Sequence, residues 1–149
     1  MQSVELEDLY RLADKFDRIC RELPEKKREL HEKIAVELEA QVKANVGGTG
    51  KVASWQEKRV GSKGGYAAVS PKAKLKQGKY TVGYITNAIE NGHTVRKPKK
   101  PSKYYKSRVK YASVRGKQFY YKTRSQAERT ALNLCHKFTE ELAKEISGD

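Results

Sequence analysis

Basic and tyrosine side chains are interspersed in one segment in the second half of the chain, and these residues are the clearest candidates for binding a ligand or partner. They are Lys97, Lys99, Lys100, Lys103, Tyr104, Tyr105, Lys106, Arg108 and Lys110. Lysine and arginine neutralise phosphates, and tyrosine rings stack on bases or pack on a protein neighbour. Pro98 and Pro101 fall in the same segment and disfavour a helix interior or a central strand. We therefore predict an exposed basic loop that contacts either nucleic acid or a partner subunit, and the sequence leaves both open.

The excess positive charge of the chain is confined to its middle. Residues 45–124 contain 20 basic and 2 acidic residues, whereas the flanking segments 1–44 and 125–149 each carry a net charge of −2. These sum to the formal net charge of +14, with a sequence pI near 9.8. Such a distribution favours a polyanionic or protein partner for the middle and a scaffolding role for the ends. Sequence-specific DNA recognition is disfavoured because no helix-turn-helix or zinc-finger pattern is present.

The glycine-rich segment Gly47–Lys51 matches part of the phosphate-binding P-loop motif. That motif requires glycine where Asn45 stands and serine or threonine where Val52 stands, and it follows a strand and not a helix. We interpret the segment as a helix stop followed by a flexible turn.

The residue types that enzymes use for catalysis do not cluster. Between residues 45 and 124 the only acids are Glu57 and Glu90, too few to predict the carboxylate sets of nucleases and glycosidases. The histidines and cysteines lack metal-ligand spacing. We therefore predict no enzymatic activity, no metal and no cofactor; a hydrolase built around Glu57, Glu90 or His93 is the remote alternative.

The N-terminal region predicts helix. Its apolar residues recur every three or four positions from a start near Ser3 to the proline at position 24. They are Leu6, Leu9, Ala13, Phe16, Cys20 and Leu23. A second helical pattern runs through Leu30, Ile34, Leu38 and Val42 up to the glycines 47 and 48. Whether Pro24 separates two helices or kinks one stays open at this level, and the coiled-coil alternative has fewer than three heptads to support it.

The middle predicts short elements. Residues 51–60 and 66–69 favour strands joined by a turn at 61–65. Residues 81–91 favour a short helix closed by Gly92 as a left-handed cap. Residues 111–121 look extended, with Gly116 as a turn or bulge.

The C-terminal region predicts a second long helix. Ser125 and Glu128 have the spacing of a capping box, and Gly148 is expected to end the helix. The expected apolar stripe comprises Ala131, Cys135, Phe138, Leu142 and Ile146. Both cysteines of the chain, Cys20 and Cys135, fall on predicted apolar faces, so we expect buried free thiols in preference to a disulfide or a reactive site.

These elements predict an α+β fold in which a long N-terminal helical region and a C-terminal helix pack on a small antiparallel sheet, with one short helix and a long basic loop. The length suits a single domain, 1–149, divided into a helical region (1–46), a sheet, short helix and basic loop (47–121), and a C-terminal helix (122–149). No segment has the pattern of a membrane span or a signal peptide.

Two short segments resemble a family of bacteriophage minor tail proteins, whose members are called tail-component, neck or tail-completion proteins. The first segment is Asn91, Gly92, His93, Thr94, Val95, Arg96, which is similar to an E-x-G-H-x-x-R motif after a short helix. The second segment is Val114, Arg115, Gly116, Lys117, Gln118, Phe119, which is similar to a V-P-G-x-x-F turn before a closing helix, with Arg115 in place of the usual proline. The order of predicted elements also agrees with that family.

The resemblance implies a non-enzymatic virion protein, made in the bacterial host cytoplasm, that assembles as a homo-oligomeric ring where head and tail join. Its partners would be itself and other tail or neck proteins, with possible contact to the DNA that passes there. In structural terms, we expect Gly92 and Gly116 to have positive φ, His93 and Arg96 to bond loop carbonyls or a neighbour, and Phe119 to be core. The alternative is a small nucleic-acid-binding protein that lacks sequence specificity.

Overall fold

The computed structural model describes residues 6–48, 50–95 and 113–148. The elements in chain order are α1 (Leu6–Val46), α2 (Val52–Trp55), β1 (Gln56–Val60), β2 (Ala67–Pro71), β3 (Lys76–Gln77), β4 (Tyr80–Thr81), α3 (Val82–Asn91), β5 (Gly92–Thr94), β6 (Ser113–Arg115) and α4 (Phe119–Ser147). The chain is a mixed α+β protein and mostly helical, as the sequence predicts.

Helices α1 and α4 pack antiparallel, because three polar contacts join them in opposite residue order. Lys26 Nζ donates to Glu145 Oε2 at 2.6 Å, and Gln41 Nε2 donates to Thr130 Oγ1 at 2.8 Å. Asn45 Nδ2 donates to Thr123 Oγ1 at 2.9 Å near the other end of the pair. The hydrogen bond from Lys26 lowers the pKa of Glu145 and raises that of Lys26.

Pro24 lies inside α1, which is one helix and not two. Proline removes one backbone hydrogen bond and crowds the preceding turn. The helix continues because residues on both sides, Ile19 and Ile34, are buried.

The core lies where the C-terminal end of α1 meets α2, α3 and the start of α4. Its buried members are Val42, Val46, Val52, Trp55, Val82 and Phe119. Ile85, Ile89 and Val69 pack against them from α3 and β2. The predicted core position of Phe119 is thus confirmed.

The strands form three separate two-stranded antiparallel pairs within the described residues, β1–β2, β3–β4 and β5–β6. In the first pair Gln56 faces Pro71 and Val60 faces Ala67, and the predicted turn at 61–65 connects them. The prediction of a strand from residue 51 is wrong for its first part, because Val52–Trp55 form one helical turn whose apolar side chains enter the core.

The prediction of buried thiols is wrong: Cys20 and Cys135 are free and exposed. The two-helix contact buries Ile19 of α1, while Leu9, Phe16 and Cys20 of the predicted stripe stay exposed. A helix packed against a single partner buries only a narrow strip, which explains why α4 also keeps Cys135 at the surface.

The position of α4 requires one further correction. The helix begins at Phe119 and not at Ser125, so Ser125 and Glu128 lie inside it and form no capping box. Its predicted end is confirmed, since Gly148 has φ +86° and donates its N–H to Lys144 O at 2.9 Å.

The turn between β1 and β2 rests against α1, and glycine is required there for two reasons. Gly64 has φ +63°, and a Cβ atom at this position would lie 2.9 Å from Arg28 Cα. Gly78, in the turn between β3 and β4, has the same φ, but a Cβ atom there would have no neighbour within 4 Å. A comparison of alanine substitutions at the two positions therefore separates the cost of backbone strain from the cost of steric contact.

We expect Gly78→Ala to lower the free energy of unfolding by about 1 kcal/mol through strain alone. Gly64→Ala should cost about 1–3 kcal/mol more, because the added methyl group meets helix backbone that cannot move aside cheaply. Urea unfolding of both variants measures the difference. Equal losses would contradict this contact between the turn and α1.

Candidate interaction sites

The two segments that carry the resemblance to tail proteins meet in the β5–β6 pair. Gly92 lies opposite Arg115, His93 opposite Val114, and Thr94 opposite Ser113. The short helix α3 leads directly into the first strand, and α4 follows the second. Segments separated by residues 96–112 in sequence are thus combined into one local unit, which we call the hairpin stem (residues 90–95 and 113–119).

Two glycines allow the backbones of the stem to approach each other. A Cβ at Gly92 would lie 2.4 Å from Val114 O, and one at Gly116 would lie 2.2 Å from Glu90 O. Gly92 has φ +81° and ψ 173°, a conformation that is essentially confined to glycine. Its predicted positive φ is confirmed, although it starts a strand and is not a left-handed helix cap.

Gly116 differs from the prediction made for it. It is absent from the positive-φ residues of the described chain. Its lack of a side chain is required for the close backbone approach and not for an unusual φ.

Glu90 joins the stem to α4 and is the residue that sequence reasoning missed. Its Oε2 accepts the N–H of Tyr120 and its Oε1 accepts the N–H of Tyr121, each at 3.2 Å. These are the second and third residues of α4, whose amides have no partner within the helix. The negative carboxylate also complements the positive end of the helix dipole. Glu90 is only 9% exposed, so this cap is shielded from water.

Backbone contacts extend the same junction. Lys117 N–H donates to Ile89 O at 2.8 Å, and Gln118 N–H donates to Glu90 O at 3.1 Å. Gln118 holds a left-handed conformation with φ +53° and makes no side-chain cap of its own. The last turn of α3 therefore supplies the acceptors that the chain entering α4 needs.

Tyr120 connects this junction to the buried Gln56. The Tyr120 hydroxyl donates to Gln56 Oε1, while Gln56 Nε2 donates to Val52 O at 3.1 Å. Burial, together with the nearby Glu90 carboxylate, raises the pKa of Tyr120 to about 12. The hydroxyl thus stays protonated at neutral pH and remains a donor.

The other predicted motif residues lie at the surface of the stem or outside the described residues. His93 is exposed, and Asn91 Nδ2 donates to Asn87 Oδ1 at 2.7 Å within α3. Arg96 and the whole basic segment from Lys97 to Lys110 lie outside the described ranges. Thr94 and Ser113, which flank the undescribed stretch on either side, pair with each other.

A second candidate surface lies on α1. The face of this helix that packs on α4 continues past Ile146, with Leu12, Phe16 and Ile19 lining a cleft against that residue. Towards the N-terminus, Leu6, Leu9, Tyr10 and Leu12 are all exposed. We call Leu6, Leu9, Leu12 and Phe16 the α1 apolar strip.

Among residues 6–48, 50–95 and 113–148, no three histidine, cysteine or acidic side chains gather where they could hold a metal ion. Within the same ranges no helix combines the length and apolar character needed to cross a membrane.

Comparison of the chain with models of protein families, with curated proteins and with solved structures found no match.

The Glu90 cap predicts unequal effects of two substitutions. Glu90→Gln should lower the free energy of unfolding by about 1–3 kcal/mol, because an amide nitrogen then faces a buried N–H donor. Ser125→Ala should change it by less than about 0.5 kcal/mol, since Ser125 lies inside the helix and is exposed. Chemical denaturation of both variants checks this. A larger loss for Ser125→Ala would favour the capping box and contradict the cap by Glu90.

Proposed function

We propose that this protein is a structural component of a bacteriophage virion that completes the tail or joins head to tail, forming or capping a ring at the neck. It acts without catalysis, with copies of itself and other tail or neck proteins as partners. It is made in the bacterial host cytoplasm and functions in the virion tail or neck.

The observation that carries this proposal is the α1 apolar strip. Leu9 is 53% exposed and lies on the face of α1 that packs on α4 further along the helix. It is therefore an apolar side chain suited to a helix–helix contact. Exposed apolar surface of this kind is typical of protein interaction sites. A second copy or a neighbouring tail protein would cover it.

The hairpin stem adds support. The residues that carry the resemblance to tail proteins, Gly92 and Gly116 among them, are those that let α3, the strand pair and α4 join closely. The two sequence segments thus form one structural unit.

The basic segment 97–110 has a place in this proposal. The flanking residues Thr94 and Ser113 pair in the hairpin stem, and in this proposal segment 97–110 faces a partner ring or the DNA path. Lys97, Lys99, Lys100, Lys103, Lys106, Arg108 and Lys110 would meet phosphates or acidic groups, and Tyr104 and Tyr105 would pack or stack there.

The assembly proposal predicts a discrete oligomer of the 17.0 kDa chain, which sedimentation velocity or native mass spectrometry measures. Leu9→Gln should weaken association by about tenfold or more, because it places a polar group in an apolar contact. Leu132→Gln on α4 is the matched control, since Leu132 is 54% exposed and lies outside the strip.

A parent protein that stays monomeric at every concentration, binds duplex DNA and releases it as salt rises would contradict this proposal. That result would favour the non-sequence-specific nucleic-acid-binding alternative, which the 20 basic and 2 acidic residues of 45–124 support. Equal association of the two leucine variants would show that the strip is not the interface.

A further inference from the structure

A second cluster of tyrosine and lysine side chains lies on the β3–β4 hairpin, the loop before it and the first turn of α3, all within the described residues. It comprises Lys72, Lys74, Lys76, Lys79, Tyr80 and Tyr84, all of them exposed, and we call it the tyrosine–lysine patch. The hairpin is tight: Gln77 pairs with Tyr80 across Gly78 and Lys79. It is tied to the core by Lys72 N–H, which donates to Trp55 O at 2.9 Å.

The two tyrosines form an ordered stacking platform. Their ring centroids are 5.2 Å apart and the ring planes differ by 16°. Tyr80 is 57% exposed and Tyr84 is 63% exposed, so the outer ring faces meet solvent. Thr81 between them caps α3, its Oγ1 accepting the N–H of Tyr84 at 3.3 Å. The cap and the hairpin hold both rings in position before any ligand arrives.

The charge around this platform has one sign. Residues 58–89 contain seven basic residues and no acidic one. Lys58 pairs with Glu32, and Arg59 pairs with Glu57. The four lysines of the patch, by contrast, form no salt bridge with any carboxylate that the structure describes. Their charge is available to an external anion.

We propose that the tyrosine–lysine patch binds single-stranded nucleic acid, with a base continuing the Tyr80–Tyr84 stack and the lysines contacting the phosphates. Ring stacking requires a base face that is free, which a single strand offers and an intact duplex does not. The lysines attract the polyanion without reading its sequence. This surface is formed by residues other than those of segment 97–110, and the proposal does not rest on ring assembly.

The test is fluorescence anisotropy of a labelled oligothymidylate with the full-length protein across a range of salt concentrations. Tyr84→Ala should weaken binding by roughly 5- to 100-fold, the range measured for loss of one stacked base. Replacing Lys74, Lys76 and Lys79 together by glutamine should lower the slope of log Kd against log salt by about 2. Tyr121→Ala is the matched control, because Tyr121 is 71% exposed beside Lys122 yet belongs to no ring pair within the described residues.

All these side chains are exposed, so thermal melting of each variant is expected to match the parent and to show that the fold is intact. Unchanged oligothymidylate binding by Tyr84→Ala, or an equal loss in Tyr121→Ala, would overturn the stacking platform. A parent that fails to bind oligothymidylate, or a triple-lysine variant with the parental salt slope, would overturn the patch as a nucleic-acid site.

Discussion

The carboxylate of Glu90 is the group on which the arrangement of the C-terminal half depends. It belongs to the last turn of α3, yet it satisfies two amides at the start of α4. Buried amides without partners are costly, so the start of α4 is held at the end of α3. That position brings Phe119 into the core and sets Tyr120 against Gln56. It also closes the hairpin stem, because the backbone between the two helices must turn through Gly116.

From this junction α4 runs back along α1, and the two helices together decide which apolar surface is left uncovered. Contacts at Asn45, Gln41 and Lys26 align them until α4 ends near Ile146. Towards the N-terminus of α1, Leu6 and Leu9 are exposed. Exposed apolar residues of this kind are typical of interaction sites, and in the proposed assembly a partner covers them.

Apolar periodicity was sufficient to predict the helices, and glycine positions the turn at 61–65, because both depend on residues close in sequence. It did not decide the course of α1 at Pro24, since tertiary packing on both sides offsets the local cost of proline. Ser125 has a well-formed local capping signal, but a carboxylate thirty residues away caps the helix six residues earlier. In the sequence, Glu90 is distinguished only as one of the two acids between residues 45 and 124. Its structural role depends on a contact that no spacing rule encodes.

The most direct test of this account is hydrogen exchange of the Tyr120 and Tyr121 amides, compared with the amide of Val42 in the middle of the core. Amides at the start of a helix ordinarily exchange fast because they lack acceptors. If Glu90 holds them as described, they exchange as slowly as the Val42 amide and only through global unfolding, and Glu90→Gln accelerates them selectively. Rapid exchange of both amides in the parent protein would contradict the junction and the arrangement of α3, the hairpin stem and α4 built on it.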